Sequence, residues 1–329
     1  AAGVAADRIY VDDVFSTFLW EGNGTSQTIT NGIDLSGEGG LVWIKNRDNT
    51  SDHALHDTER GATKVLNSNT DYAEATSSNF SSFNSNGFTI TGSSNVANNS
   101  SYDYVSWTFR KAPGFFDVVT YTGTGSAQNI SHSLGSVPGM IIIKRTNSSE
   151  NWATYHRTQG ATKTCRLNGD FPFSTSSSTF NNTEPTSTVF TVGTNSEVNS
   201  NGDTFVAYLF AHDDQSFGTD SDEAIIKCGT FTTDSSTALF DVNLGFEPQW
   251  LLAKRTDGSG DWFIIDQQRE WSNLALERAF PNTTQAPFSN EYEGYFLPHS
   301  RGFRCTTAFF SANQQFIYMA IRRPHKPPT

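Results

Sequence analysis

The stretch Gly40-Leu41-Val42-Trp43-Ile44-Lys45-Asn46-Arg47 decides how this chain folds, because it returns twice. The second copy is Gly139-Met140-Ile141-Ile142-Ile143-Lys144-Arg145-Thr146. The third is Gln249-Trp250-Leu251-Leu252-Ala253-Lys254-Arg255-Thr256. The lysines lie 99 and 110 residues apart. Internal repeats of this kind set the organisation of a chain before local propensity does. Each copy is a short run of β-branched, aromatic and other apolar residues, which favours a strand. The nearly unbroken apolar character predicts that both faces are covered.

Working outward, each run ends in a polar cluster: Asp48 to Asp52, Asn147 to Asn151, and Asp257 to Asp261. Asn, Asp, Gly and Ser tolerate turn geometry. A second apolar stretch follows each cluster, starting at His53, Trp152 and Trp262. The pattern predicts three β-hairpins. Gly87-Phe88-Thr89, Val189-Phe190-Thr191 and Gly302-Phe303-Arg304 also correspond, and each copy closes on an alternating run ending at Phe109, Phe210 and Ile321.

The predicted fold is therefore all-β: three tandem antiparallel β-sandwich-like repeats of ~100 residues with long polar loops. Residues 1–14 form an N-terminal extension, 15–114 the first unit, 115–217 the second, and 218–329 the third with an extended C-terminal tail. The linkers, Lys111 to Gly114 and Asp213 to Asp222, are short, so the units are expected to pack together. One short helix is predicted, from Asn273 to Phe280. The polar tracts Asn67 to Asn86 and Asn168 to Thr188 occupy matching places, and loops this long inside a domain are usually functional or mobile.

The 329 residues carry a net charge of −12 and 13% aromatics, and Ser, Thr and Asn make up nearly a third. Abundant aromatics argue for a folded chain. Acidity without a basic run argues against nucleic acid and against an anionic membrane surface. No apolar stretch reaches the ~20 residues of a membrane span. Ala1 to Ala6 lacks the basic start and apolar core of a signal peptide, and a chain beginning at Ala1 is expected to be processed or part of a longer one. Cys165, Cys228 and Cys305 have no CxxC spacing, and their odd number leaves no complete intrachain disulfide set. They read as buried thiols of a protein made in a reducing compartment such as the bacterial cytoplasm.

Reactive-looking residues change from copy to copy. His53 and His56 flank the place that His156 holds in the second unit, and the third unit has Trp262 and Asp266 there, which argues for structural roles. Asp257-Gly-Ser-Gly-Asp261 has too few oxygen ligands for a calcium loop, with Gln268 at the twelfth position. Lys45, Lys144 and Lys254 do recur. Their expected role is a stem along apolar surface with the head in water or on a carboxylate, rather than a reactive amine. GxSxG, P-loop and HExxH signatures are absent. No catalytic, cofactor or metal residue is therefore assigned. Trp152, Trp262, Tyr292 and Tyr295, near turns, are the candidates for stacking on glycans.

The strings Gly39-Gly-Leu-Val-Trp-Ile-Lys-Asn-Arg47, Asp57-Thr-Glu-Arg-Gly61, Val105-Ser-Trp-Thr-Phe-Arg-Lys-Ala-Pro-Gly114 and Leu134-Gly-Ser-Val-Pro-Gly139 resemble a domain of unknown function. It is found in virion structural proteins of tailed bacteriophages, notably marine and cyanobacterial ones. The resemblance runs through nearly the whole chain, weakest in the third unit. It carries no established chemistry. It implies a location in the virion: tail, fibre or capsid-surface decoration. The expected function is assembly and host attachment without enzymatic activity. Expected partners are other virion proteins, copies of itself as a trimer, and a host-surface glycan. Three units in one chain could instead give pseudo-threefold symmetry to a monomer. The alternatives are a host-polysaccharide-binding protein or depolymerase, and a bacterial surface-layer or filament subunit.

Overall fold

The structure, a computed structural model, describes residues 8–233, 239–269, 271, 277–289, 296–306 and 311–325. The Gly40–Asn46 run is a strand buried along its whole length, as its unbroken apolar character predicts. It lies between the closing strand of its unit, Asp103–Arg110, and its hairpin partner, Ala54–Asp57. Phe15–Glu21 pairs on the far side of the closing strand. The same strand order is found twice more. One sheet runs Phe116–Thr122, Thr204–Phe210, Met140–Arg145, Ala153–His156, and continues into Lys163–Arg166 and Ser174–Thr175. The other runs Ile226–Thr232, Gln315–Arg322, Pro248–Arg255, Phe263–Asp266. All these pairings are antiparallel.

A smaller antiparallel sheet covers the outer face of each. It comprises Gln27–Thr30, Gly87–Ile90 and Phe80–Asn84 in the first unit. It is Gln128–Ser131 with Val189–Val192 in the second. In the third it is Leu239–Asn243, Gly302–Thr306 and Phe296–His299. The recurring Gly-Phe has a steric cause. At Gly87 and Gly302 (φ +146° and +159°) an added Cβ would collide with the carbonyl oxygens of Ile29 and Val242 in the neighbouring strand.

The described α-helices are short: Val11–Val14, Leu35–Glu38 and Ser196–Asn199. The helix expected from Asn273 to Phe280 is not one in its described part. Glu277–Arg278 is a strand paired with Phe288–Ser289, and Ala279 exchanges two backbone hydrogen bonds with Ile264. The open edge of Phe263–Asp266 captures this segment, because unpaired edge groups are stronger local partners than a marginal helix. Residues 273–276 lie outside the described set.

Strand parity divides the apolar residues into two sets. Val42 and Ile44 face the small sheet of the first unit, with Trp20, Phe88 and Tyr104. Leu251 and Ala253 do the same in the third unit, with Phe231, Phe303 and Phe316. The opposite parity faces a shared interior. There Leu41 and Trp43 join Met140 and Ile142, Trp250 and Leu252, and the closing-strand residues Trp107, Tyr208 and Met319. One continuous core thus joins all three large sheets. Residues 8–14, expected as an extension, dock on it through buried Val11 and Val14.

Candidate functional site

Lys45, Lys144 and Lys254 have the parity of Trp43, so their side chains enter the shared interior. All three are fully buried, which corrects the expectation of a head reaching water or a carboxylate. Each ammonium instead donates to backbone carbonyls of an adjoining unit. Lys45 Nζ donates to Thr284 O (2.9 Å), Lys144 Nζ to Asp71 O (3.1 Å), and Lys254 Nζ to Asp170 O (2.7 Å). The same three carbonyls accept the backbone N–H of Ser51, Glu150 and Gly260. First unit thus docks on third, third on second, and second on first. Burial pushes the Lys45 and Lys144 ammoniums down to about 8 and lowers that of Lys254 too. Charge-assisted bonds to carbonyls, about 1.5–3 kcal/mol each, offset part of that desolvation.

The residues at the start of each second hairpin strand close the same ring. His53 Nε2 donates to Phe280 O at 3.0 Å, because Nδ1 already accepts from Trp43 Nε1. Trp152 Nε1 donates to Asn67 O and Thr70 O, both at 3.1 Å. Trp262 Nε1 donates to Arg166 O at 2.9 Å. Trp152 and Trp262 are fully buried, so neither indole can stack on a glycan, and that expectation is corrected. Proximity to a turn is misleading here, because the turn itself is covered by the next unit. Tyr292 and Tyr295 lie outside the described residues.

A third set of contacts runs along the same interfaces. Asp57 accepts from Arg60 Nε (2.6 Å) and from Tyr208 of the second unit (2.8 Å). Asp266 accepts from Arg269 Nε (2.7 Å) and from Trp107 of the first unit (2.9 Å). In the second unit His156 takes this place, with Nε2 3.2 Å from Tyr318 O of the third. These groups resemble catalytic clusters in composition, but their carboxylates and imidazole are buried and bonded between units. The Asp257 loop is likewise occupied: Asp257 accepts from Arg255, and Asp261 from Asn282. The three cysteines are free and buried, with thiols pushed up by desolvation. Among the described residues no cluster of His, Cys, Asp or Glu has the grouping of a metal site.

The accessible chemistry lies where the ring is clamped. In each unit an Asn side chain accepts from its own hairpin: Asn69 from His53 N, Asn168 from Trp152 N, and Asn282 from Trp262 N. Two residues later comes the carbonyl that accepts the neighbour's lysine. The next side chain points outward: Tyr72 in the first unit (64% exposed) and Phe171 in the second (65% exposed), with Gln285 at this position in the third. The polar tracts expected to be functional or mobile are thus pinned at their roots and carry aromatic tips. Beside Phe171 lies a groove of about 540 Å³, bordered by Arg166, Pro172, Ser174, Asn195 and Glu197. Arg166 closes on Glu197 through Nε (2.8 Å) and Nη2 (2.5 Å). Glu197 belongs to the Ser196–Asn199 turn, which Asn195 caps by accepting from Glu197 N. Sequence reading missed Phe171 and Tyr72. The aligned signal was Asn69-Thr-Asp-Tyr72 against Asn168-Gly-Asp-Phe171, visible only when the loops are aligned along with the strands.

A protein-family model described as a Domain of unknown function (DUF7483) matches residues 11–324. No curated protein matches the chain. No helix among the described residues is long and apolar enough to cross a membrane.

Proposed function

We propose that this chain, which belongs to that family of unknown function, is a non-catalytic structural and adhesive protein. It is carried on a tailed-bacteriophage particle, as part of the tail, a fibre or the capsid surface. The observation that carries the adhesive reading is the pair of exposed aromatics, Tyr72 and Phe171, at matching places on loops anchored by buried lysines. An exposed aromatic on a preorganised backbone loses little entropy when it binds. Meanwhile the repeated lysines Lys45, Lys144 and Lys254, the histidines His53, His56 and His156 and the three cysteines are buried between or within units. A closed ring of contacts within one chain also suits a part that must stay folded outside a cell.

Incubation of the full chain with virions, host cells and host envelope polysaccharide tests this. Co-sedimentation with particles, together with polysaccharide binding that leaves polymer length unchanged, supports the proposal. Shortening of the polysaccharide would make the protein a depolymerase and overturn the non-catalytic assignment. Failure to associate with virions, cells or polysaccharide would overturn the reading as a whole.

A further inference from the structure

We propose that the groove beside Phe171 binds an uncharged saccharide, with the Phe171 ring as stacking platform and the Arg166–Glu197 pair as the hydroxyl-binding element. This deepens the adhesive reading and rests on it. An exposed Phe presents an apolar face with no polar handle, and the apolar C–H face of a pyranose matches it. The ring is well placed for this, because Asp170 O, immediately before it, accepts both Lys254 Nζ at 2.7 Å and Gly260 N at 2.9 Å. The platform is thereby fixed from the third unit instead of moving with its own loop.

The groove volume of about 540 Å³ falls within the ~300–1,000 Å³ of small-molecule sites. Its charge argues for the class of ligand. Arg166 is the cation bordering the groove, and it is neutralised by Glu197. A phosphate, sulfate or uronate would have to displace that carboxylate, on a chain already at −12. A neutral polyol needs no such exchange. Arg166 is about half exposed, so its remaining N–H groups can donate to one hydroxyl while Glu197 accepts from the next. Ser174 and Asn195 add further polar groups along the wall.

The test is saturation-transfer NMR on the full chain. The probes are methyl glycosides of glucose, galactose, mannose and N-acetylglucosamine, with methyl glucuronide and N-acetylneuraminate as anionic comparators. At least one neutral glycoside should give transfer, and the anionic ones weaker transfer or none. Phe171→Ala should weaken the neutral glycoside roughly tenfold or more, the equivalent of about 1.4 kcal/mol. Phe171→Trp should restore it. Glu197→Gln should weaken it in its own right. Because Phe171 is exposed, the melting temperature of Phe171→Ala should not move. Absence of transfer from every neutral glycoside, equal transfer with Phe171→Ala, or preference for the anionic sugars would overturn the assignment. If Phe171→Ala still binds host cells while no neutral glycoside binds, this site falls and the adhesive reading stands.

Discussion

Lowering the pH from about 7 to about 5 should cost this fold on the order of 5–6 kcal/mol, through three buried histidines. His53 Nδ1 accepts the indole N–H of Trp43 at 2.9 Å while Nε2 donates to Phe280 O. A second proton would have to sit on Nδ1, facing that N–H. Burial, followed by the charge of Lys45, holds this imidazole well below its ordinary 6.5. Burial and Arg60 lower His56 to about 4, and burial lowers His156 to about 3. All three folded-state values lie below the unfolded one. Between pH 6.5 and about 4 the unfolded chain therefore binds more protons, and stability present above 6.5 is lost as pH falls. Each group contributes up to about 1.4 kcal/mol per pH unit, hence about 2 kcal/mol by pH 5. Their sum is comparable to the whole stability of many domains, about 5–15 kcal/mol. Guanidinium unfolding followed by tryptophan fluorescence at pH 7, 6 and 5, at constant ionic strength, measures it. His156→Gln should flatten the slope by about one proton. A loss under about 1 kcal/mol, or histidine resonances titrating near 6.5 in the folded chain, would refute the reasoning.

Trp262→Phe removes the donor to Arg166 O between the second and third units. It should cost about 0.5–1.5 kcal/mol in thermal unfolding, the net worth of one hydrogen bond, because Arg166 O keeps the backbone N–H of Gly169 at 3.3 Å. Arg60→Met strands buried Asp57 without its cation and should cost about 3–5 kcal/mol, whereas Arg304→Met, on an exposed pair with Asp241, should leave the melting temperature unchanged. On the alkaline side, Lys45 and Lys144 titrate at about 8 when folded and at 10.5 when unfolded. The unfolded chain then holds more protons above pH 8, so stability should rise from pH 7.5 to 9, with Lys144→Met reducing the rise. Above about pH 9 the rise should reverse, because the three buried thiols are raised above 9.0 and ionise only on unfolding.

The sequence by itself determined the strands. The fully buried Gly40–Asn46 run, the hairpins after it and the alternating closing strands were all legible, because strand periodicity and turn chemistry are local. The all-β class follows from them. The helix expected from Asn273 onward failed because the open sheet edge Phe263–Asp266, just upstream, pairs with part of that segment, and that edge exists only once the sheet is formed. The candidate site was barely legible. Trp152 and Trp262 look accessible from their place beside polar turns, yet the loop of another unit covers each. Lys45, Lys144 and Lys254 were visible as a repeat, but their partners Thr284, Asp71 and Asp170 belong to other units, so neither their burial nor their clamping role could be read locally. Backbone carbonyls also leave no residue signature for a side-chain donor to match. Tertiary structure alone decided which aromatics are platforms, because exposure depends on what the rest of the chain leaves uncovered. The ring buries the tryptophans beside its turns and leaves Tyr72 and Phe171 in water.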